Sequence, residues 1–384
     1  MSIEQIKKIT VVGAGDMGHG IAEVALLAGF PVRLYDVNEE AVERGAERIY
    51  ASAEKLAEKG KVPAQLVDQI RSDLLVTTTD LQVAASDADL VIEAAPEILE
   101  LKKSIFSQLD EFAPPHALLA TNTSTMSVSQ ISEATKRADQ VLGMHFFNPA
   151  VLMKLVEVIR GNHTSDETLE TGMELGKKFG KVPVKVRRDT PGFIANRVNQ
   201  APTVLIQLML EAGEVTPMGI DAFMRSLGAP MGPCELLDYV GIDVAVNVGQ
   251  YFADTLHPDY GPTSHVKQLL ADGKLGKKSG QGYFDWSNGR PEIDLSQATK
   301  VFNPLTMIFT QINEATKLVE DGVCSVADVD VALINSTGNP LGPISVGRQI
   351  SKWDLTDQLE YLARKYDSTV FQPTQRLKEG GYKH

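Results

Sequence analysis

Ile9-Thr10-Val11-Val12-Gly13-Ala14-Gly15-Asp16-Met17-Gly18 runs a short apolar strand straight into G-x-G-x-x-G. In that arrangement Gly13 permits a tight turn and Gly15 lets a diphosphate approach the backbone, while Gly18 lets the next helix pack on the sheet. The helix is predicted through Ile21 to Ala28 with a stop at Gly29, its N-terminal N–H groups aimed at the diphosphate. Pro31-Val32-Arg33-Leu34-Tyr35-Asp36 reads as a second strand that ends in a carboxylate. Asp36 stands 18 residues after Gly18, near the ~20 of a dinucleotide fingerprint. A carboxylate there accepts hydrogen bonds from a free ribose 2′-hydroxyl and repels a 2′-phosphate, so NAD is expected rather than NADP. Gly13, Gly15, Asp16, Met17, Gly18 and Asp36 form the first group of cofactor-binding candidates. Asp16 suits a helix N-terminus but adds an anion near the diphosphate, so its side chain is expected to face solvent.

Composition narrows the class. The chain has 384 residues, enough for two or three domains, with 43% apolar and 23% charged residues as in a soluble globular protein. A net charge of −13 argues against nucleic acid and against an anionic membrane surface, so an anionic ligand needs a local basic patch. Cys234 and Cys324 lie far apart, in neither metal-ligand nor redox spacing, and read as buried spectators. No metal site is expected. The N-terminus shows no signal peptide and no apolar run is long enough to span a bilayer, which makes a cytoplasmic location the default expectation.

Strand and helix patterns alternate to about residue 187. Further strands are read at 74–77, 89–94, 117–121 and 140–144, with two edge strands at 154–159 and 182–186. Helical patterns run from Glu39 to Lys59 and from Leu99 to Glu111. Alternation of this kind builds βαβ units and a largely parallel sheet covered on both faces. After Asp189-Thr190-Pro191-Gly192-Phe193 the strand signals stop and helical periodicity takes over, as through Ile194 to Leu210. A second boundary is placed in the polar stretch Trp286 to Pro291. Beyond it the helical unit recurs. Glu211-Ala212-Gly213 matches Glu320-Asp321-Gly322 and Asp221 matches Asp330 at an offset of 109, and Met231-Gly232-Pro233 matches Leu341-Gly342-Pro343 at 110. The expected architecture is an α/β Rossmann-type NAD-binding domain at 1–187, an all-α C-terminal domain at 188–290, and a second, degenerate copy of that helical domain at 291–384.

Polar residues gather just past the C-terminal ends of the predicted parallel strands, where open α/β sheets bind ligands. They are Glu93 and Glu97, Asn122-Thr123-Ser124, and His145-Phe146-Phe147-Asn148-Pro149. Hydride transfer from an alcohol carbon needs a base for the hydroxyl proton, and histidine is suited to that near neutral pH. His145 ends an apolar strand. Glu157 follows 12 residues later in an alternating strand, after a turn at Asn148-Pro149, which lets the two side chains meet. A carboxylate on one imidazole nitrogen fixes the tautomer and leaves the other nitrogen for substrate. An isolated histidine would be read as structural; the strand end and the reachable carboxylate favour the base.

These segments together resemble the L-3-hydroxyacyl-CoA dehydrogenase family. The resemblance is carried by Asn122-Thr123-Ser124, Gly143 to Pro149, Met153 to Val158, Asp189 to Arg197, Met231 to Asp238 and Lys277 to Phe284, in the family's order. It implies His145 as general base, Glu157 as its orienting partner, and Ser124 and Asn196 as hydrogen-bonding partners of the substrate's oxygens. Glu97, Lys102, Ser124, Asn148 and Lys278 match positions near the nicotinamide half of NAD; without the resemblance, Lys102 and Lys278 would be read as solvated surface charges. Ser52 and Lys59 match positions that contact coenzyme A. Lys55 lies one turn before Lys59 and adds to the basic patch that an acyl-CoA thioester substrate requires.

Family members with one helical domain dimerise through it, whereas multifunctional relatives carry two copies. This chain carries two, with no enoyl-CoA hydratase segment, and leaves a separate hydratase as a candidate physical partner. The second copy lacks the Pro-Gly-Phe-Ile-Ala-Asn run, and Leu305 stands where Asn196 would recur. Its expected role is structural: packing on the first copy as a partner subunit would, in a monomer with an internal pseudo-dimer, with an ordinary homodimer as the alternative. Two other functions compete: oxidation of a free β-hydroxy acid on the same plan, and nucleotide binding without catalysis. The intact set Ser124, His145, Glu157 and Asn196 argues against the latter.

Overall fold

Eight short strands form one sheet in the computed structural model, which describes residues 2–384. They are β1 (Ile9–Val12), β2 (Val32–Tyr35), β3 (Leu75–Thr78), β4 (Leu90–Glu93), β5 (Leu118–Thr121), β6 (Val141–Phe146), β7 (Leu155–Ile159) and β8 (Val182–Val186). Their order is β3-β2-β1-β4-β5-β6-β7-β8, parallel from β3 through β6. β7 runs antiparallel to β6, and β8 lies parallel to β7. Continuous apolar runs such as Leu90-Val91-Ile92 are buried on both faces, which is why these strands lack a polar alternation. The strand order reverses between β1 and β4, leaving a crevice at their C-terminal ends.

The sequence placed every strand, with one correction. The segment at 154–159 is expected at an edge, but β7 is flanked by β6 and β8, so the sheet's edges are β3 and β8. Period and composition do not reveal lateral neighbours; these depend on which strands the connections bring together.

Four helices matter for the sheet: α1 (Asp16–Leu27), α2 (Glu39–Glu58), α3 (Leu99–Phe112) and α4 (Asp166–Lys178). The side chain of Asn38 accepts from Ala41 N at 3.1 Å and starts α2. Ser165 does the same for α4, whose first turn is acidic and whose last carries Lys177 and Lys178, as the helix dipole favours.

Beyond residue 194 the structure is helical, and the chain divides into two compact units. The first comprises Met1–Ala195 with Gly322–Gly342, the second Asn196–Asp321 with Pro343–His384. The helices that follow include α5 (Ala195–Glu211), α6 (Leu305–Glu320) and α7 (Val326–Thr337). Within the first unit, α7 packs against β7 and β8. Arg187 N, one residue past β8, donates to Val323 O at 2.8 Å, so a piece of the C-terminal chain covers the end of the edge strand. Within the second unit, one apolar core draws on Val204, Leu205 and Phe252 together with Leu362, Val370 and Phe371.

The internal repeat has a physical signature. Asp221 accepts from Cys234 N and Glu235 N at 2.9 and 2.7 Å, and a Cβ on Gly232 would lie 2.2 Å from its carboxyl carbon. In the second copy a Cβ on Gly342 would lie 2.2 Å from Asp330 Oδ1. The same aspartate–glycine packing therefore occurs at both matched positions.

Candidate active site

The glycine turn sits at the reversal of strand order. Gly13 has φ +101°, and a Cβ there would lie 2.7 Å from Ala94 O, at the end of β4. A Cβ on Gly18 would lie 1.7 Å from Gly13 O, so only glycine lets α1 begin this close to the turn. Gly15 differs: a Cβ there would meet nothing within 4 Å. The space over Gly15 is where a diphosphate would lie, so the turn fits the group its sequence implies. Asp36 follows β2, its Oδ2 accepting from Ala14 N at 2.9 Å and its Oδ1 from Asn38 N at 3.1 Å. Its carboxylate is thus fixed beside the turn. Asp16 faces solvent as expected, 78% exposed and paired with Arg48 on α2 at 2.5 Å. Ala14, Gly15, Asp16, Arg44, Gly45 and Arg48 border a cavity of about 220 Å³. Met17 is half-buried at the first turn of α1.

Past β4 lies a buried ionic network. Lys102, on α3, is not the solvated charge its sequence context suggested: it is 1% exposed. Its ammonium donates to Glu93 Oε1 at 2.7 Å and Ala95 O at 3.1 Å, and pairs with Glu97 Oε2 at 3.1 Å. Thr121 Oγ1 donates to the other oxygen of Glu93 at 2.7 Å. Glu97 Oε1 in turn accepts from Thr123 Oγ1 at 2.8 Å and Ser124 N at 2.5 Å. The C-terminal ends of β4 and β5 are therefore tied through charge-assisted bonds, and Ser124 is held by its backbone. Ser124 does not cap the next helix; Ser127 caps 128–132, and its hydroxyl donates to Asp189 at 2.6 Å.

Antiparallel pairing sets His145 on β6 directly opposite Glu157 on β7. His145 Nδ1 lies 2.7 Å from Glu157 Oε2. The second carboxylate oxygen accepts from Ile194 N at 3.0 Å and Ala195 N at 2.9 Å, the amides that lead into α5. Sequence reasoning missed these two donors. Their signal was Pro191-Gly192-Phe193 ahead of a helix, a turn in which Phe193 takes φ +52° and directs the unpaired N–H groups of the helix start at a carboxylate. Glu157 is fully buried and His145 is 4% exposed, with the rings of Phe147 and Phe193 at 4.4 and 5.7 Å from the imidazole. Asn122 Oδ1 accepts from Phe146 N at 2.8 Å and secures the end of β6.

The other candidates are more dispersed. Asn148 is exposed in the loop after β6; Ser52 is half-buried on α2, and Lys55 and Lys59 are exposed one turn apart. Asn196 and Lys278 belong to the second unit, where Lys278 pairs with Asp243 at 2.5 Å. Both cysteines are buried thiols, and burial above all pushes that of Cys324 up to about 12. Among the described residues, no cluster of three or more His, Cys, Asp or Glu side chains is placed to hold a metal ion, and no helix is long and apolar enough to cross a membrane.

One buried acid was not singled out from sequence. Glu23 interrupts the apolar face of α1 between Ala22 and Val24 and is 1% exposed, its Oε1 without a hydrogen-bond partner. Burial pushes its carboxyl up to about 7 against the opposing pull of the Ser52 hydroxyl and the Lys181 ammonium. Lys181 donates to the carbonyls of Ala150 and, at 2.8 Å, Met153, and so fastens the loop between β6 and β7.

Two family models match the chain. Residues 8–190 match the family model described as 3-hydroxyacyl-CoA dehydrogenase, NAD binding domain. Residues 192–286 and again 305–380 match the one described as 3-hydroxyacyl-CoA dehydrogenase, C-terminal domain. The 3-hydroxyadipyl-CoA dehydrogenase of Escherichia coli is 39% identical over 345 residues, 89% of this chain and 70% of its own length. A probable 3-hydroxybutyryl-CoA dehydrogenase of Bacillus subtilis is 41% identical over 290 residues, 73% of this chain and 98% of its own. A crystal structure of 3-hydroxybutyryl-CoA dehydrogenase from Escherichia coli K12 superposes with a TM-score of 0.87 at 32% identity and covers 98% of both chains.

Proposed function

The chain belongs to the 3-hydroxyacyl-CoA dehydrogenase family, an NAD-dependent dehydrogenase, and we propose that it oxidises (S)-3-hydroxyacyl-CoA thioesters reversibly to 3-oxoacyl-CoA with His145 as the base. The observation that carries this reading is the 2.7 Å contact of His145 Nδ1 with Glu157, which leaves Nε2 for a substrate hydroxyl. In the oxidative direction Nε2 takes the 3-hydroxyl proton, and Glu157 stabilises the imidazolium that forms. NAD, when bound, supplies the acceptor for the C3 hydride. The amides of Ile194 and Ala195 hold Glu157 so that it cannot turn away as charge develops on the ring.

Ser124 and Asn196 are assigned to the substrate's oxygens. Gly13, Gly15, Asp16, Met17, Gly18 and Asp36 are assigned to the cofactor's adenosine diphosphate half, and Glu97, Lys102, Ser124, Asn148 and Lys278 to its nicotinamide half. Lys102 acts there through Glu97, because its ammonium is already engaged. Ser52 and Lys59, with Lys55, are assigned to coenzyme A.

The deciding assay is NADH oxidation with acetoacetyl-CoA, run beside free acetoacetate. Turnover of the thioester alone is expected; turnover of the free acid alone would overturn the reading. A second substrate, an acyl chain ending in a carboxylate, is favoured by the match to a 3-hydroxyadipyl-CoA dehydrogenase over 89% of this chain. Comparing kcat/KM for the two thioesters ranks them. Packing of the two helical copies into one core supports a monomer, and light scattering should give a mass near 41.7 kDa; twice that mass would refute it.

A further inference from the structure

Arg197 occupies the first turn of α5, next to Asn196. A cation is electrostatically misplaced at a helix N-terminus, where the backbone dipole already presents positive charge. This one is also buried, with its side chain 7% exposed. Its Nε donates to Oε1 of Glu314, a fully buried residue on α6 in the second helical copy. Glu314 Oε2 accepts from Tyr260 OH at 2.7 Å and from Lys317 Nζ at 2.9 Å, and Lys317 also donates to Tyr260 OH at 3.0 Å and Val370 O at 2.9 Å. Burial alone would raise the Glu314 carboxyl, but the charges of Lys317 and Arg197 bring it below its ordinary value. One turn before Glu314, Gln311 donates to Asn199 Oδ1 at 2.9 Å. Gln311, Glu314 and Lys317 follow one another at three-residue spacing along one face of α6. Two of them grip the first five residues of α5, and the third neutralises the acid.

A buried ionic cluster of this kind is poor evidence of stability, because an apolar packing of the same volume serves as well or better. It does impose one geometry on the groups it joins. The second copy has lost the residues of a site of its own yet supplies an acid, 117 residues along the chain, to the arginine beside Asn196. We propose that Glu314 is a positioning residue for the dehydrogenase reaction: by holding Arg197 it fixes the helix turn that presents Asn196 to the substrate. The second copy therefore acts on catalysis as well as on packing. This rests on the assignment of Asn196 to the substrate's oxygens.

The test is a double-mutant cycle on the full chain, with acetoacetyl-CoA and NADH as substrates. Glu314→Gln keeps the size and the tyrosine hydrogen bond but removes the charge. It is expected to lower kcat roughly 10-fold, with the KM for NADH within about twofold of wild type. Tyr260→Phe, which removes one bond to Glu314, should lower kcat about two- to threefold and guards against misfolding of the first variant. Asn196→Ala should lower kcat by itself, and adding Glu314→Gln to it should cost little more, because both changes act through one group. Unchanged kcat in folded Glu314→Gln, or effects that multiply in the double variant, overturns the positioning role. No effect of Asn196→Ala instead overturns the assignment of Asn196, so the two failures are told apart.

Discussion

His145 and Glu157 face one another across the antiparallel junction of β6 and β7, Nδ1 to Oε2 at 2.7 Å, with Glu157 bound on its far side by two backbone amides. The pair is thus fixed by strand register and by a helix start, not by side-chain packing alone. His145→Gln should lower kcat by roughly 10²- to 10⁴-fold, the range of a lost general base, while NADH affinity measured by fluorescence stays within about twofold. Glu157→Gln should also lose turnover, since an amide in its place offers its NH2 or its oxygen without the charge that stabilises imidazolium. Turnover of His145→Gln within tenfold of wild type would sink the assignment.

Gly15 and Gly18 separate cofactor binding from folding. At Gly18 a Cβ would lie 1.7 Å from Gly13 O, and at Gly15 it would meet nothing within 4 Å. Gly18→Ala should therefore destabilise the apo protein by about 1–3 kcal/mol, read as a lower melting temperature. Gly15→Ala should melt like wild type yet bind NADH at least tenfold more weakly. Equal affinity in that variant would show that the diphosphate does not cross Gly15.

Asp36 holds Ala14 N and Asn38 N from the end of β2. Loss of a charged hydrogen-bond partner to the ribose costs about 1.5–3 kcal/mol, so Asp36→Ala should weaken NADH roughly 10- to 100-fold. NADPH should lose less, because a repulsion disappears along with the bond. A preference for NADH that stays constant in titrations of both cofactors would refute the role.

Glu23 predicts a pH dependence of stability. Its folded carboxyl sits near 7, above its ordinary 4.5. The folded state therefore holds the proton more tightly than the unfolded one, and this contribution is complete below about 4.5 and lost as pH rises through 7. Glu23→Gln removes the titration, so the variant should gain stability relative to wild type between pH 5 and 7.5, by an amount on the order of 2–3 kcal/mol. Urea denaturation at both pH values measures it; a difference that does not change with pH would refute the assignment.

Much of the fold was legible because its signals are local. Apolar runs of four to six residues, glycines at fixed spacing and an acid closing the second strand marked β1, β2 and the end of α1 within a residue or two, though α1 begins at Asp16, ahead of the expected Ile21. The dyad could be proposed from a 12-residue spacing because a reversal between two strands brings such residues opposite. The burial of Lys102 has no such local signal. A lysine in a helix is solvated unless a distant acid receives it, and Glu93, on a neighbouring strand, does so here at 2.7 Å. The interior place of β7 and the burial of Glu23 escaped in the same way, since both depend on elements far along the chain.

By itself, the amino-acid order settled which segments are strands, where the dinucleotide turn lies, that NAD is the cofactor, and that the helical unit occurs twice. These follow from periodicity, backbone freedom and charge within short windows. Only tertiary structure decided that Glu157 is clamped by the amides before α5, that Lys102 is internal, and that an acid from the second copy grips Arg197. Such contacts join groups brought together by burial of unrelated segments, and no local pattern encodes the partner of a buried charge.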